Sequence, residues 1–301
     1  MEPRLGKDND AMDVPADVLS VLRDRGLLLS EPERMHLLQG GRTNLLWRFT
    51  GADAASDLVL KLYRGSGPNP LFPNEIAAEV AALTALAAPG LCPRRIDHGQ
   101  APSGDWIVYD RIDGDLWRRD TASVARALHR VHDQPPWPSL RITPHGSAAL
   151  SQQTEAILAK CPREDQDRLL PLRPDQVVAP CSVLTVIHAD PVPGNIVVRD
   201  GTTVFIDWQC PALGDPAEDL AIFLSPAMQL LYRGQVLGTD DIAACLAAYP
   251  ARDVVDRYHR LAPWYHWRMV AYCAWRRAQG QTDYAKAMIP ELQMLSALSH
   301  P

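Results

Sequence analysis

Residues 186–208 read VIHADPVPGNIVVRDGTTVFIDW. Within this stretch β-branched residues dominate 195–199 and 202–207, as they do in β-strands. Asp200 and Gly201 lie between the two segments, and Asp-Gly in that position is the strongest short-range signal for a β-hairpin. If the two residues form the turn, the numbers of facing residues on the two strands add up to 401. The sequence therefore predicts both the hairpin and its register.

Three polar side chains collect at the open end of this hairpin. In the predicted register Asn195 faces Ile206, so Asn195 and Asp207 are diagonal neighbours, and Asp190 lies in the loop that leads into the first strand. Oxygen ligands of this kind suit Mg²⁺, which keeps several waters and shares its remaining positions with phosphates. A further carboxylate beside them can orient or deprotonate an attacking hydroxyl. The simpler alternative is a hairpin with polar ends and no chemistry.

The same residues form a motif that resembles a known superfamily. The pattern His-x-Asp-x-x-x-x-Asn beginning at His188, followed by Ile-Asp-Trp at 206–208, resembles the aminoglycoside phosphotransferases and choline kinases. The segment GDPAEDLA at 214–221 is similar to their Asp-Pro-x-x-Asp-Leu-Ala. The resemblance implies an α+β, two-lobed protein-kinase-like fold, with a small N-terminal lobe built on an antiparallel sheet and a larger, mainly helical C-terminal lobe. It also implies ATP and Mg²⁺ as cofactors and phosphoryl transfer to a small molecule.

The resemblance assigns a role to each residue of the motif. Asp190 is expected to be the catalytic base, and Asn195 and Asp207 are expected to bind the metal. His188 is expected to brace the loop rather than to move protons. Asp219 is expected to form hydrogen bonds with the backbone of the catalytic loop.

Two positions depart from the superfamily pattern. Ala189 stands where glycine or asparagine is common, and we expect the replacement to be harmless. Gln209 stands where many relatives carry an acidic residue, which weakens analogies of substrate contact. Asp215, within the second motif, is expected to be a turn or scaffold residue.

Composition bounds the class of protein. A chain of 301 residues, 47% hydrophobic and 22% charged, is long enough for one large domain or two lobes. A net charge of −6 gives no indication of a nucleic-acid partner, which would require a basic face. Scattered cysteines without a Cys-x-x-Cys pair argue against a zinc site or a disulfide framework and favour a reducing cytoplasm. They are Cys92, Cys161, Cys181, Cys210, Cys245 and Cys273.

The sequence shows no segment for a membrane or for secretion. The first ten residues lack the apolar core of a signal peptide, and no stretch approaches 18 uninterrupted apolar residues. The polar composition of residues 1–13 is compatible with disorder. We therefore expect no membrane partner.

The N-terminal part alternates between strands and one helix. Strands are predicted at 35–38, 45–50 and 57–63 and a further strand at 106–109, each from its apolar alternation. An Ala-rich helix is predicted at about 74–87. The predicted lobe boundaries follow from these elements: an N-terminal nucleotide-binding lobe at 14–110, a hinge at 111–115 and a helical lobe with the catalytic loop and acceptor site at 116–301.

Helical patterns fill the C-terminal part. Thr121 is a candidate N-cap for a helix that runs to about His132. Pro263 is expected to break or kink a long helix near the C-terminus. The other helices are predicted at about 147–160, 164–171, 217–232, 240–248, 252–279 and 283–298.

The nucleotide is expected to bind in the N-terminal lobe. Gly40 and Gly41 allow close approach of the backbone to phosphates, although an ordinary turn explains them equally well. With Thr43 and Asn44 they resemble the Gly-Gly-x-Thr-Asn loop of choline-kinase-like members. Lys61 occupies the third strand, where the superfamily has the lysine that contacts the α- and β-phosphates.

One acidic residue of the Ala-rich helix is expected to pair with that lysine. Glu75 and Glu79 are four residues apart and share one face of the helix. The superfamily spacing favours Glu79, with Glu75 as the alternative and a solvated helix face as the simplest explanation of both.

The acceptor site is predicted from an aromatic cluster near the C-terminus. An aromatic cage binds an ammonium group through cation–π attraction, whereas large aromatics also commonly fill a helical core. The candidate rings are Trp264, Trp267, Tyr272 and Trp275. Arginines in the same stretch make it more basic than a polycationic aminoglycoside prefers. They are Arg252, Arg257, Arg260, Arg268, Arg276 and Arg277.

These observations predict an ATP- and Mg²⁺-dependent kinase acting on a hydroxyl of a small molecule, with choline, ethanolamine or a related amino alcohol as the preferred acceptor. An aminoglycoside, thiamine, homoserine or sugar kinase on the same scaffold is the first alternative. A non-catalytic nucleotide-binding protein is the second alternative. The joint presence of four residues counts against it, since a binding protein need not keep them all: Lys61, Asp190, Asn195 and Asp207. A protein kinase is disfavoured because no Asp-Phe-Gly or Ala-Pro-Glu motif is present.

Overall fold

The computed structural model describes residues 13–28, 35–38, 43–53, 56–65 and 67–299. The chain forms two compact units. Unit 1 contains residues up to 67 together with 94–111, and unit 2 contains 68–93 together with the chain from 112 onward.

Unit 1 is built on a five-stranded antiparallel sheet in the order β1-β2-β3-β5-β4. One helix accompanies it, and Val18 and Leu22 of that helix join the apolar core with Trp47, Leu60 and Trp106. The elements are α1 (Ala16–Asp24), β1 (His36–Leu37), β2 (Leu45–Thr50), β3 (Asp57–Leu62), β4 (Arg95–Ala101) and β5 (Gly104–Asp110).

The central strand β3 is buried on both faces. Leu58, Leu60 and Leu62 lie on one face as the alternation predicts, and Lys61 on the other face is only 1% exposed. A lysine side chain is almost never fully buried unless its charge is paired. The strand therefore carries a buried cation within an otherwise apolar sheet.

Unit 2 is mainly helical. Its long helix α9 packs against α4, α6 and α10, and α3 packs against α8. The elements of unit 2 are α2 (Ile76–Leu86), β6 (Asp115–Leu116), α3 (Thr121–His132), β7 (Arg141–Ile142), α4 (Ser147–Leu158), α5 (Arg163–Leu169), β8 (Thr185–Ile187), β9 (Ile196–Arg199), β10 (Thr202–Phe205), β11 (Ala212–Gly214), α6 (Pro216–Leu224), α7 (Pro226–Arg233), α8 (Thr239–Ala248), α9 (Arg252–Ala278) and α10 (Asp283–Ser299).

The predicted hairpin is present with the predicted register. β9 and β10 pair antiparallel through Thr202 with Arg199 and Phe205 with Ile196, so facing numbers add up to 401. The φ angles of the turn residues Asp200 and Gly201 are +49° and +75°, the left-handed values that a two-residue hairpin turn of this type requires. β6 pairs with the outer edge of β9, and β7, β11 and β8 form a second three-stranded sheet.

Two helix boundaries differ from the sequence-based prediction. The N-cap of α3 is Asp120, whose side chain accepts from the N–H of Ser123, whereas the hydroxyl of Thr121 donates to the carbonyl of Asp241. The helix predicted at 217–232 is two helices, because Pro226 has no N–H to continue the first and Ser225 caps the second. The helix α9 continues through Pro263, so the predicted break is absent.

The segment 68–93 belongs to unit 2, although the sequence-based boundary had placed it in the N-terminal lobe. Backbone hydrogen bonds explain the grouping: the N–H of Glu75 donates to the carbonyl of Gln209, and the N–H of Phe205 donates to the carbonyl of Leu91. Among the described helices, none is both long and apolar enough to cross a membrane.

We expect Gly201→Ala to lower the free energy of unfolding by about 1 to 2 kcal/mol, because an L-residue in the left-handed region pays a steric cost. A Cβ at this position would meet nothing within 4 Å, so the cost is purely conformational. Chemical denaturation measures it. Gly67→Ala is the matched control, since its Cβ is equally unobstructed and its φ is ordinary. Equal effects of the two variants would contradict the prediction.

Candidate active site

The loop between β8 and β9 holds Asp190 in a fixed position. The side-chain amide of Asn195 donates to the backbone carbonyl of Asp190 at 2.9 Å and to its carboxylate Oδ2 at 3.3 Å. A short 3-10 turn at Pro193–Asn195 brings the amide back to this point. Asp190 and Asn195 are 7% and 8% exposed, so both face a largely desolvated environment. Charge–dipole contacts are stronger there than in water.

A second carboxylate fixes the backbone of the loop. The N–H groups of His188 and Ala189 donate to the two oxygens of Asp219, each at 2.8 Å. Asp219 is fully buried in the first turn of α6, so its charge depends on these donors. The loop is thereby attached to the helix that follows the second motif.

The anchored loop stores local strain at Ala189. Its φ angle is +63°, a region that costs a residue with a Cβ roughly 1 to 2 kcal/mol. The prediction that alanine is a harmless replacement for glycine or asparagine at this position is therefore wrong in energetic terms. The two hydrogen bonds to Asp219 are charge-assisted and offset this cost.

Both ring nitrogens of His188 form hydrogen bonds with the backbone. Its Nδ1 accepts from the N–H of Asp190 at 3.2 Å, and its Nε2 lies 3.1 Å from the carbonyl oxygen of Ile206. Nε2 therefore carries the ring proton and donates to the hairpin. The ring also packs on Trp208, with the centroids 4.3 Å apart. His188 connects the loop to the hairpin in this way.

Asp207 lies one residue beyond the end of the ladder. The N–H of Ile206 donates to the carbonyl of Asn195 at 2.9 Å, which extends the register to the predicted facing pair. Asp207 then turns away with a φ of +62°, a conformation that aspartate tolerates better than most residues. Asn195 and Asp207 are thus diagonal neighbours, as the sequence predicts.

A buried thiol shows that the carboxylates share one neighbourhood. Burial raises the pKa of Cys210 well above its usual value, and the charges of Asp190, Asp207 and Asp219 raise that pKa further. Arg141 acts in the opposite direction and donates to the carbonyl of Cys210 at 3.0 Å. The structure therefore brings Asp190 and Asp207 into the same electrostatic environment.

The donor set fits a magnesium ion that is shared with phosphates. Because the amide nitrogen of Asn195 donates to Asp190, its carbonyl oxygen is the atom that can ligate a cation. Asp207, the residue after the one that faces Asn195, could supply a carboxylate, and hard oxygen ligands of both kinds suit Mg²⁺. In the part of the chain that the structure describes, no three His, Cys, Asp or Glu side chains form a metal cluster. An ion here would depend on phosphate and water for its other ligands.

The nucleotide-site candidates of unit 1 lie around β3. The ammonium of Lys61 is 4.9 Å from the ring centroid of Tyr63 on the same face. Asn44 is buried, and its side-chain oxygen accepts from the N–H of Arg64 at 3.4 Å. Thr43 and Asn44 lie directly before β2. The two predicted glycines of this loop, Gly40 and Gly41, lie outside the described residues.

Burial distinguishes the two acidic candidates of α2. Glu79 is fully buried, whereas Glu75 is exposed at the N-cap of the helix. A buried carboxylate needs a compensating partner and an exposed one does not. Glu79 is therefore the stronger candidate. Lys61 belongs to the other unit, so their pairing stays a prediction.

Sequence comparison decides the family. Residues 34–264 match the phosphotransferase enzyme family. The chain belongs to this family. It is accordingly a phosphotransferase of the small-molecule kinase type, and the predicted superfamily is confirmed. A comparison with functionally curated sequences gives no match.

Solved structures show the same fold as this phosphotransferase. A choline/ethanolamine kinase family protein from Mesorhizobium loti is 17% identical with a TM-score of 0.63, covering 91% of this chain and 90% of that one. An ethanolamine kinase from Plasmodium vivax is 13% identical with a TM-score of 0.61, covering 93% and 85%. An amicoumacin kinase solved with AMP-PNP and Ca²⁺ is 14% identical with a TM-score of 0.64, covering 94% of both chains. The predicted α+β kinase-like fold is confirmed.

The aromatic residues of α9 in this phosphotransferase do not act as one cluster. Trp264 and Trp267 are 3% and 0% exposed, and their indole N–H groups donate to the carbonyls of Gln176 and Leu169. Both tryptophans therefore pack in the core of unit 2, and their predicted place in a cation cage stays a prediction.

Tyr272 occupies a different environment. Its hydroxyl accepts from the side-chain amide of Asn69 at 3.0 Å, and its ring packs edge-on against Phe72 with the centroids 5.1 Å apart. Burial raises the pKa of Tyr272 well above its usual value, and the charge of Asp190 contributes to the increase. Tyr272 thus lies within the electrostatic reach of Asp190. Trp275 packs beside it at 5.7 Å and is covered by Arg276.

Sequence reasoning missed Asn69. Its side-chain oxygen accepts from the N–H groups of Leu71 and Phe72, so the residue shapes its own turn while its amide holds Tyr272. The Asn-Pro dipeptide at this point is a turn signal. The pairing with Tyr272, across most of the chain, has no local signal.

Three of the six arginines of α9 pair with acidic side chains. Arg257 pairs with Asp215 at 2.5 Å, Arg268 with Glu218 at 2.8 Å, and Arg277 with Asp165 at 2.5 Å. Each carboxylate is buried or nearly so. The charge of these three arginines is therefore compensated within unit 2, and the preference of the stretch against aminoglycosides stays a prediction that rests on the remaining arginines.

Proposed function

We propose that this phosphotransferase uses ATP and Mg²⁺ to phosphorylate a hydroxyl of a small amino alcohol, with choline or ethanolamine as the leading class of acceptor. The observation that carries the proposal is the loop between β8 and β9. It fixes Asp190 against Asn195 and places Asp207 one residue beyond the residue that faces Asn195. A base beside two oxygen ligands is the arrangement that phosphoryl transfer to an alcohol requires.

Each residue has a defined task in this proposal. Asp190 accepts the proton of the acceptor hydroxyl, and the amide of Asn195 keeps the carboxylate oriented for it. Asn195 and Asp207 hold the metal. The bound Mg²⁺ neutralises charge on the phosphates of the nucleotide. Lys61 contributes positive charge to the phosphates from unit 1.

The nucleotide would occupy unit 1. Gly40, Gly41, Thr43 and Asn44 are proposed to approach its phosphates, and Glu79 to hold Lys61 in place. Support comes from the burial of Lys61 and Asn44. Among the similar structures, the amicoumacin kinase was solved with AMP-PNP and Ca²⁺, which agrees with a nucleotide and a divalent cation in this fold.

An amino alcohol is the acceptor that the remaining observations favour. Tyr272 receives a hydrogen bond from Asn69, so its own proton can be donated to a bound acceptor. An aromatic ring and a carboxylate together suit an ammonium group. Two of the similar structures are described as choline/ethanolamine and ethanolamine kinases. An antibiotic kinase is the second candidate, because the amicoumacin kinase is equally similar in structure.

An acceptor screen tests the proposal directly. Release of ADP would be followed with the purified protein, ATP and Mg²⁺, over choline, ethanolamine, related amino alcohols, aminoglycosides, amicoumacin, thiamine, homoserine and sugars. We expect the highest kcat/KM with an amino alcohol. A preference for an antibiotic would change the proposed acceptor and keep the proposed chemistry. If none of the tested acceptors stimulated ADP release, the result would contradict the kinase assignment.

Asp190→Asn should lower kcat by about 10² to 10⁴, because a positioned base contributes that much to proton transfer. The amide retains the shape of the side chain, so the KM for ATP should change by less than about threefold. Steady-state kinetics with the best acceptor of the screen measures both. A kcat close to that of the parent would assign Asp190 to the structure of the loop instead.

Asn195→Ala and Asp207→Ala should each shift the Mg²⁺ dependence of turnover to higher concentration and lower the maximal rate. The reason is that each variant removes one of the two proposed oxygen ligands. Titration of turnover with Mg²⁺ at fixed ATP measures the effect. Asp256→Ala, which removes an exposed carboxylate from α9, is the control and should leave the Mg²⁺ curve unchanged. An unchanged curve in either site variant would exclude that residue as a ligand.

Tyr272→Phe should raise the KM for the acceptor several-fold and leave the KM for ATP unchanged, since only the hydroxyl near Asp190 is lost. Tyr265→Phe is the matched control. Tyr265 is a buried tyrosine of the same helix whose hydroxyl has no hydrogen-bond partner among the described residues. Equal KM values for parent and Tyr272→Phe would remove Tyr272 from the acceptor site.

A further inference from the structure

Three N–H donors converge on the carboxylate of Asp219. Two are the backbone groups of His188 and Ala189, and the third is the ring nitrogen Nε2 of His132 in α3, at 3.0 Å. Asp219 and His132 are both buried, so water does not substitute for a missing donor. The carboxylate that holds the catalytic loop is thus itself held from a different helix.

The other side of His132 is also occupied. Its Nδ1 lies 2.6 Å from the hydroxyl oxygen of Tyr249, the residue that ends α8 and is 1% exposed. Because Nε2 faces a carboxylate, Nε2 carries the proton of the neutral ring and Nδ1 is an acceptor. The hydroxyl of Tyr249 therefore donates to Nδ1. Burial raises the pKa of Tyr249 well above its usual value, with a contribution from Asp219, so the hydroxyl keeps this proton.

We propose that Tyr249 is a positioning residue for phosphoryl transfer, acting through His132 and Asp219 on the backbone of the loop that carries Asp190. The expected effect on kcat rests on the proposed function, whereas the expected effect on the rigidity of the loop does not. The hydroxyl fixes the orientation of the His132 ring by donating to Nδ1, in the tautomer that Asp219 selects. The ring in turn presents its N–H to Asp219, which then holds the loop in place.

The strain in the loop makes this chain of contacts consequential. Ala189 stays at a φ of +63° only while its neighbours over-determine it. A weaker third donor leaves Asp219 less rigidly placed, so the loop samples positions in which Asp190 is displaced. A displacement of about 1 Å can cost around 10²-fold in rate. Substrate binding does not depend on this alignment, so the effect falls on kcat rather than on KM.

Tyr249→Phe tests the proposal because it removes the hydroxyl and keeps the ring. We expect kcat to fall by about one order of magnitude, with the KM values for ATP and acceptor within about twofold, as misplacement of the base predicts. Hydrogen exchange of the peptide that contains the amides of His188 and Ala189 should become faster. Tyr265→Phe should change neither quantity, because the hydroxyl of Tyr265 has no hydrogen-bond partner in the described part of the chain.

The same substitution in a His132→Gln protein shows whether Tyr249 acts through His132 or only through its own packing. In His132→Gln the amide of the new side chain can donate to Asp219 without help from Tyr249. Tyr249→Phe should therefore cost little additional kcat or exchange protection in that background. An equal loss in both backgrounds would show that Tyr249 acts independently of His132, and parental kcat with parental exchange in Tyr249→Phe would overturn the proposal. Because the exchange readout needs no turnover, a failure of the kinase assignment remains distinguishable from a failure of this proposal.

Discussion

A single buried carboxylate, that of Asp219, organises the site. A charge without access to water is tolerated only when donors surround it, and here the donors are two consecutive backbone N–H groups and a histidine ring. Consecutive amides reach one carboxylate only if the chain turns sharply between them. The left-handed conformation of Ala189 is that turn. The interaction therefore fixes the direction in which the chain leaves β8.

The rest of the site follows from this direction by short-range contacts. His188 bonds forward to the backbone of Asp190 and to the hairpin at Ile206, and Asn195 bonds back to Asp190. The hairpin then carries Asp207 to the same neighbourhood. All of these residues lie within one stretch of the chain, so the geometry of the site depends little on loop closure over long distances. In the proposed mechanism, this arrangement keeps the base Asp190 and the oxygen ligands Asn195 and Asp207 rigid.

Long helices supply the frame around the site, and their charges are balanced locally. Arg257 and Arg268 of α9 pair with Asp215 and Glu218, so α9 holds the start of the helix that carries Asp219 at two points. Removing one member of such a buried pair leaves an uncompensated charge, which is costly. These pairs therefore serve the position of α6 rather than the recognition of an acceptor.

The sequence by itself determined the hairpin, its register and the family. Turn chemistry and a period of two are local rules, and the Asp200-Gly201 turn leaves one register open. The end of α3 at His132 also followed from its helical pattern. Only the tertiary structure decided where Trp264 and Trp267 pack, because the sequence pattern of an aromatic helix face is the same whether that face lies in a core or beside a ligand. It likewise decided the pairing of Tyr249 with His132, since contacts between distant segments depend on how helices pack and leave no periodic trace in the sequence.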